Sequence, residues 1–366
     1  MRALALASLI TLLAGCPATE DTADTDVGTD TDTDTSVDTE VDTEPDTEFV
    51  SGLTEWPDPA GCEPWGSTPP AYLSLTGCVD RADPSMPASG LMPYAIVSPL
   101  WSDDADKDRY IAMPTDSTIT VDQDGDFDFP VGTVLAKWFT LEDQLLEVRL
   151  YARGGDGWSG ASWEWDEQAQ DGVLRTQGAT VTLPSGTQWD IPSQGQCRQC
   201  HTAAANTNLG PEVAQLDFEW TYPSGVIARP LDTFRALGMI DGPLPEVAEL
   251  ADPFGDADLG LRARSYLHSN CAGCHQPGGG TPYNMDLRIW TDFADAATCG
   301  VNASNSLGLA DMERIAPGDP EHTMLLQRMG NEALRMPPVG STVVDDAAID
   351  LISEWVTSLS DCESGP

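Results

Sequence analysis

"LLEVRLYARGGDGWSGASWEWDE", residues 145–167, alternates apolar with polar residues on both sides of a glycine-rich turn. Successive side chains of a strand point to opposite faces, so Leu146, Val148 and Leu150 share one face while Glu147 and Arg149 share the other. "TVLAKWF" (133–139) behaves in the same way, and "RGGDGWSG" (153–160) punctuates the strands. Short alternating strands separated by turns predict a β-rich domain, sandwich or barrel-like, over residues 51–191. Its first part, to about residue 95, is rich in Pro and Gly and reads as an irregular lead-in. "DQDGDFD" (122–128) carries alternating acids as a calcium loop does. Its glycine is in the fourth place and no glutamate closes the loop at the twelfth, so an acidic hairpin turn is the better reading.

After residue 192 the period changes. "DLGLRARSYLHSN" (258–270) has Asp258 as a helix start, "APGDPEHTMLLQRM" (316–329) has Asp319 as N-cap with Pro320 in the first turn, and Ile349, Ile352, Val356 and Leu359 form a stripe on a helix opening near Asp345. The expected fold class is α+β, with the β-rich domain followed by mainly helical domains over 192–257 and 258–362.

The other end of the chain carries different signals. Residues 1–16 combine Arg2, an apolar run from Leu4 to Leu13, and small residues before Cys16, the pattern of an export signal. Leu13-Ala14-Gly15-Cys16 resembles a bacterial lipobox, which implies acylation of Cys16, anchoring in a membrane, and a periplasmic location. Pro17 after it favours the outer membrane; an ordinary cleaved signal is the alternative. Residues 17–50 are dominated by Asp, Glu and Thr and read as an extended tether, since such a segment has little apolar surface to bury. The net charge is −43, and without Arg2 and the tether acids the body retains 16 Lys and Arg against 47 Asp and Glu. A surface of that sign argues against nucleic acid as a partner and leaves redox proteins or small molecules.

Nine cysteines and four histidines complete the chemistry. "CRQCH" (197–201) and "CAGCH" (271–275) repeat one pattern, Cys-x-x-Cys-His, which is the attachment signature of c-type haem. Two thiols form thioethers to the porphyrin, and the adjacent imidazole ligates iron. Candidate cofactor-binding residues are therefore Cys197, Cys200 and His201 at one site and Cys271, Cys274 and His275 at the other, with two covalently attached haems expected. "RMPPVG" (335–340) offers the sulfur of Met336 as a sixth ligand for the second site, stiffened by Pro337 and Pro338. For the first site Met239 is a weaker candidate, competing with a role in the core, and His268 and His322 are alternatives. Zinc held by the paired cysteines and a redox-active dithiol remain rival readings. Of the other cysteines in the body, Cys62 with Cys78 and Cys299 with Cys362 are expected to form disulfides, as an oxidising compartment allows.

Residues 258–360, with helix, Cys-x-x-Cys-His, methionine loop and closing helix in that order, resemble a class I cytochrome c domain. The resemblance implies that Cys271 and Cys274 carry haem, that His275 is proximal and Met336 distal. A wider resemblance, carried by "PLWSDDADKDRYIAMP", "DFPVGTVLAKWF", "WDIPSQGQCRQCH", "RARSYLHSNCAGCH" and "RIAPGDPEHTMLLQRM", is to a family of bacterial di-haem c-type cytochromes. It implies a β-rich region ahead of two haem sites and single-electron transfer between periplasmic partners. The rivals are a haem enzyme, peroxidase-like or acting on another small substrate, with an open sixth position at the first site, and an electron-transfer subunit of a larger oxidoreductase. Trp101, Trp138, Trp158, Trp163 and Trp165 would then lie near a pocket wall. No catalytic residue is singled out.

Overall fold

The computed structural model describes residues 50–363 apart from Ala60 and Glu332. The expected export signal, the lipidation site Cys16 and the tether up to residue 49 lie outside the described residues. Those described form one compact unit. Among them no helix is long and apolar enough to cross a membrane.

The alternating segments are strands. β1 (Met92–Tyr94), β2 (Asp106–Ala112), β3 (Val134–Leu141), β4 (Gln144–Gly154), β5 (Gly157–Asp166) and β6 (Asp171–Leu174) form a six-stranded antiparallel sheet in sequence order. Glu142 and Asp143, both at positive φ, make the two-residue turn between β3 and β4, the backbone a tight hairpin needs. The remaining strands pair only two by two. The expected sandwich or barrel is thus corrected to a single open sheet, whose second face is covered by separate two-stranded hairpins, short helices and loops rather than by a second large sheet. The acidic stretch is the hairpin turn between Thr120–Val121 and Phe127–Asp128.

One face of the sheet, with Ala136, Trp138, Val148, Leu150 and Trp163, packs beneath the lead-in, where Cys62 and Cys78 are bonded and buried. The indole N–H groups of Trp138 and Trp163 donate to the carbonyls of Ser85 and Pro70, which fastens the lead-in down. Leu146 departs from the expected alternation. Pairing slips between Phe139 and Thr140, so Leu146 turns to the other face and joins Phe139 and Trp189. That second face also holds Ile111 and Leu135, which pack against Phe127, Phe129 and Phe234.

The mainly helical cytochrome c-like half expected from the sequence does not form. α1 (Gln194–Cys200), α2 (Val213–Leu216), α3 (Pro230–Ala236), α4 (Leu259–Leu267), α5 (Met324–Met329) and α6 (Asp346–Ser358) are short, the longest having 13 residues. Between residues 273 and 319 the described chain is turn, bend and irregular coil with isolated β-bridges such as Cys299 to Ile315, as "QPGGGTPYN" and the recurring Gly, Asn and Asp dictate. The β-rich body therefore carries the helices as local supports. Where a start signal is strong, the helix appears: Asp258 accepts from the N–H groups of Gly260 and Leu261, and Asp345 from that of Ala348. α4 and α6 pack through Tyr266, Leu267, Ile352, Trp355 and Val356. The helix expected over 316–329 is split. Asp319 caps a single turn, Pro320–His322, and buried Thr323 is extended, its hydroxyl bonding the backbone of Ala316 and Asp319 before α5 begins. Cys299 and Cys362 form the second disulfide.

Candidate functional site

The first pentapeptide ends α1. Ser193 and Gln196 form a reciprocal cap that fixes the start of the helix, and His201 follows its last turn. The Nδ1 of His201 lies 2.7 Å from the carbonyl oxygen of Thr207. A carbonyl only accepts, so Nδ1 carries the proton and the Nε2 lone pair is free, the tautomer a metal-ligating imidazole requires. The ring packs on Tyr151 of β4 at 4.1 Å between centroids, and Tyr151 stacks on Trp158 of β5 at 4.9 Å. Burial, with the nearby Lys137 cation, pushes His201 down to about 4. Cys197 approaches β5 at Gly160, where an added Cβ would stand 3.4 Å from the sulfur. Burial raises the thiols of Cys197 and Cys200, the latter to about 11.

The second pentapeptide follows α4 through a π-helical turn, His268–Ala272. Asn270 within it accepts the backbone N–H of Trp101 at 2.7 Å and donates to the carbonyl of Tyr266, locking the turn to the β-rich part. Cys271, Cys274 and His275 line a cleft of about 920 Å³, partly open to solvent, whose other walls include Met336, Pro337, Pro338 and Leu287. The lining is mostly apolar, as around most bound cofactors. The Nδ1 of His275 is buried without a hydrogen-bond partner among the described residues, and burial lowers its affinity for protons. Neutral imidazole is the ligating form.

The Met336 loop is fastened at several points. The N–H of Met336 donates to the carbonyl of Arg328, and the guanidinium of Arg335 to the carbonyls of Ser341 and Thr342. Asp103, buried and at positive φ, accepts the N–H groups of Thr342 at 2.7 Å and Val343 at 3.0 Å, while the indole of Trp101 donates to Val343.

The two pentapeptides touch. The Cys274 sulfur lies 3.7 Å from the carbonyl oxygen of Gln199, and an added Cβ at Gly273 would meet Leu209 at 3.1 Å and Ala205 at 3.9 Å. All four cysteines of the motifs are free thiols. Among the described residues no three His, Cys, Asp or Glu side chains converge as a metal ion would need. Two thiols beside a neutral imidazole, at each of two sites, fit a covalently held haem.

The other candidates fall elsewhere. Met239 is fully buried in the core with Phe127, Phe234 and Ile240 and lines none of the cavities beside His201. His268 is engaged at both nitrogens: Nδ1 accepts from the N–H of Ile289, and Nε2 lies 2.9 Å from a Glu212 oxygen. His322 is exposed and bonded to Asp319. Of the tryptophans, Trp158 stands nearest His201 through Tyr151; Trp138 and Trp163 belong to the opposite face.

Sequence reasoning missed Asp103 and a cavity between the second pentapeptide and the sheet, about 970 Å³ with the space it shares with solvent. Asp126, Glu212 and His268 line it on one side. Burial and the Glu212 carboxylate push Asp126 up to about 7. Lys107, Arg109, Lys137 and Arg149 also line it. Comparison with protein-family models, curated proteins and solved structures finds no match for this chain.

Proposed function

We propose that the chain is an exported di-haem c-type cytochrome, anchored through lipid on Cys16, that carries single electrons between periplasmic redox proteins. The observation that carries the reading is the contact between the pentapeptides, each with two free thiols beside a neutral imidazole, which would hold two cofactors as close neighbours. Haem iron supplies a one-electron couple when bound. The protein's part is positional. Thr207 aims His201, the Met336 loop walls the second cleft, and Asp103 fastens the far end of that loop. A thioether at the second site raises its potential relative to the first, so electrons run from the first site to the second.

A second reading has one observation in its favour. No methionine lines either cavity that flanks the first motif, and His268 there is already bonded on both ring nitrogens, so the sixth position at His201 has no evident donor of those types. That suits an enzyme acting on a small substrate at the first site. The test is the full chain matured in a periplasm with haem-attachment machinery. Two haems per chain, both low-spin, with two resolved midpoints, are expected of the carrier. A high-spin first haem that reacts with peroxide would replace it with the enzyme, and metal without haem would end both readings.

A further inference from the structure

Four of the chain's 17 basic residues, including both of its lysines, meet on the sheet face that carries the first site. Arg109 of β2 stands opposite Lys137 of β3, and Lys137 opposite Arg149 of β4, with Lys107 two residues from Arg109 on the same side. Like charges directly opposite across strands repel. Among the described residues one carboxylate, Glu147, is within ion-pair distance of them: it pairs with Arg149 at 2.8 Å and also accepts the indole N–H of Trp189, while Asp126 and Glu212 stand across the cavity. Arg109 keeps a buried Nε with no partner, and the Lys137 ammonium makes no hydrogen bond or ion pair among the described residues. Burial and the two flanking guanidinium groups depress Lys137 to about 7. In so acidic a protein such a row is costly unless an anion faces it.

The row lies where a ligand of the first site would reach. Lys137 and Arg149 line one small cavity together with Cys197 and His201, and all four cations line the larger one beside it. Gly160, against which Cys197 packs, belongs to the strand next to that of Arg149. At about 4.8 Å between strands, the row leads away from the attachment cysteine for about 14 Å. In a porphyrin the two carboxylate arms are on the edge away from the vinyl groups that cysteines capture.

We infer that the row Arg109–Lys137–Arg149, with Lys107, is a binding site for a multiply charged oxygen anion, and that its occupant is the pair of carboxylate arms of the haem attached at Cys197 and Cys200. The inference rests on the haem reading above. The same chemistry from a free source, a small inorganic oxyanion, is the competing occupant.

The test uses the matured full chain and its Lys137→Gln, Arg109→Gln and Lys137→Arg variants, with Arg229→Gln, an exposed cation paired to Asp217, as control. Intact mass counts the haems, and a redox titration resolves the first midpoint with and without inorganic phosphate or nitrite. Removing one cation should favour the ferric state of the first haem, shifting its redox equilibrium at least threefold, with Lys137→Arg restoring most of it and Arg229→Gln changing nothing. Lys137→Gln relieves like-charge repulsion, so folding should survive, and Arg109→Gln gives an independent reading. An unmoved midpoint in both glutamine variants, with two haems present, overturns the inference. So does a wild-type midpoint that follows added anion and loses that response in Lys137→Gln, because the row then holds a free oxyanion. Fewer than two haems in the wild type refutes the haem reading itself.

Discussion

Asp103 and Thr342, 239 residues apart, are joined twice through one carboxylate oxygen, which accepts the backbone N–H of Thr342 at 2.7 Å and its hydroxyl at 3.0 Å. The other oxygen takes the N–H of Val343, so a single side chain from the β-rich part holds the far end of the Met336 loop. Hydrogen bonds to a buried carboxylate contribute about 1.5–3 kcal/mol each, and they are not additive. Asp103→Ala should cost about 2–3 kcal/mol, read as a lower urea midpoint, and should loosen Met336 ligation in the spectrum of the matured protein. A loss of stability without any change at the second site would show that the clamp supports only the fold.

Met336 and Met239 separate cleanly. Met336 lines the second cleft and Met239 lies in the core. Met336→Ala should lower the second midpoint by more than tenfold in its redox equilibrium, 59 mV for one electron. Met239→Leu keeps the side-chain volume and should leave both midpoints in place, with under about 1.5 kcal/mol lost. A redox titration checks both.

Asp126 gives a pH dependence of definite sign. Its proton is held more tightly in the folded chain, to about 7, than in the unfolded chain, so the native state binds more protons between about pH 4 and 7 and stability falls as pH rises through that window. Burial is the first cause, the Glu212 and Asp122 carboxylates add to it, and His268 opposes it. Asp126→Asn should flatten the fall and raise stability at pH 8 by about 1 kcal/mol after allowance for solvent screening. Urea unfolding at pH 5 and pH 8 measures it.

Cys62 and Cys78 close a 16-residue separation beneath the sheet. Constraint of the unfolded chain by a loop of that size contributes about 3 kcal/mol. Replacing both with Ala should lower the thermal midpoint and expose the Trp163 face to quenchers, while the haem count stays at two. A changed count would tie the lead-in to maturation.

Much of the local structure was legible. Asp258 and Asp345 mark helix starts because a short acid satisfies the first free N–H groups, and four cysteines remain for two disulfides once Cys16 and the four of the repeated motifs are set aside. Three features were not. Thr323 breaks a helix because its hydroxyl finds tertiary partners, which local pattern does not encode. Leu146 changes faces at a one-residue slip in pairing, and a period-two count has no way to see a slip. The cation row arises only when β2, β3 and β4 align, since Arg109, Lys137 and Arg149 are ordinary polar positions in three separate segments. The helical half failed for a simpler reason: a few well-marked helices were extended in expectation across Gly- and Pro-rich chain that forms turns.

The wall of the cavity beside the first pentapeptide contains Ala272, Gly273, Gln276, Arg288 and Trp290, residues that leave the ribosome about 70 to 90 positions after Cys200. The flank of the sheet beside the first motif is therefore completed only by the later half of the chain.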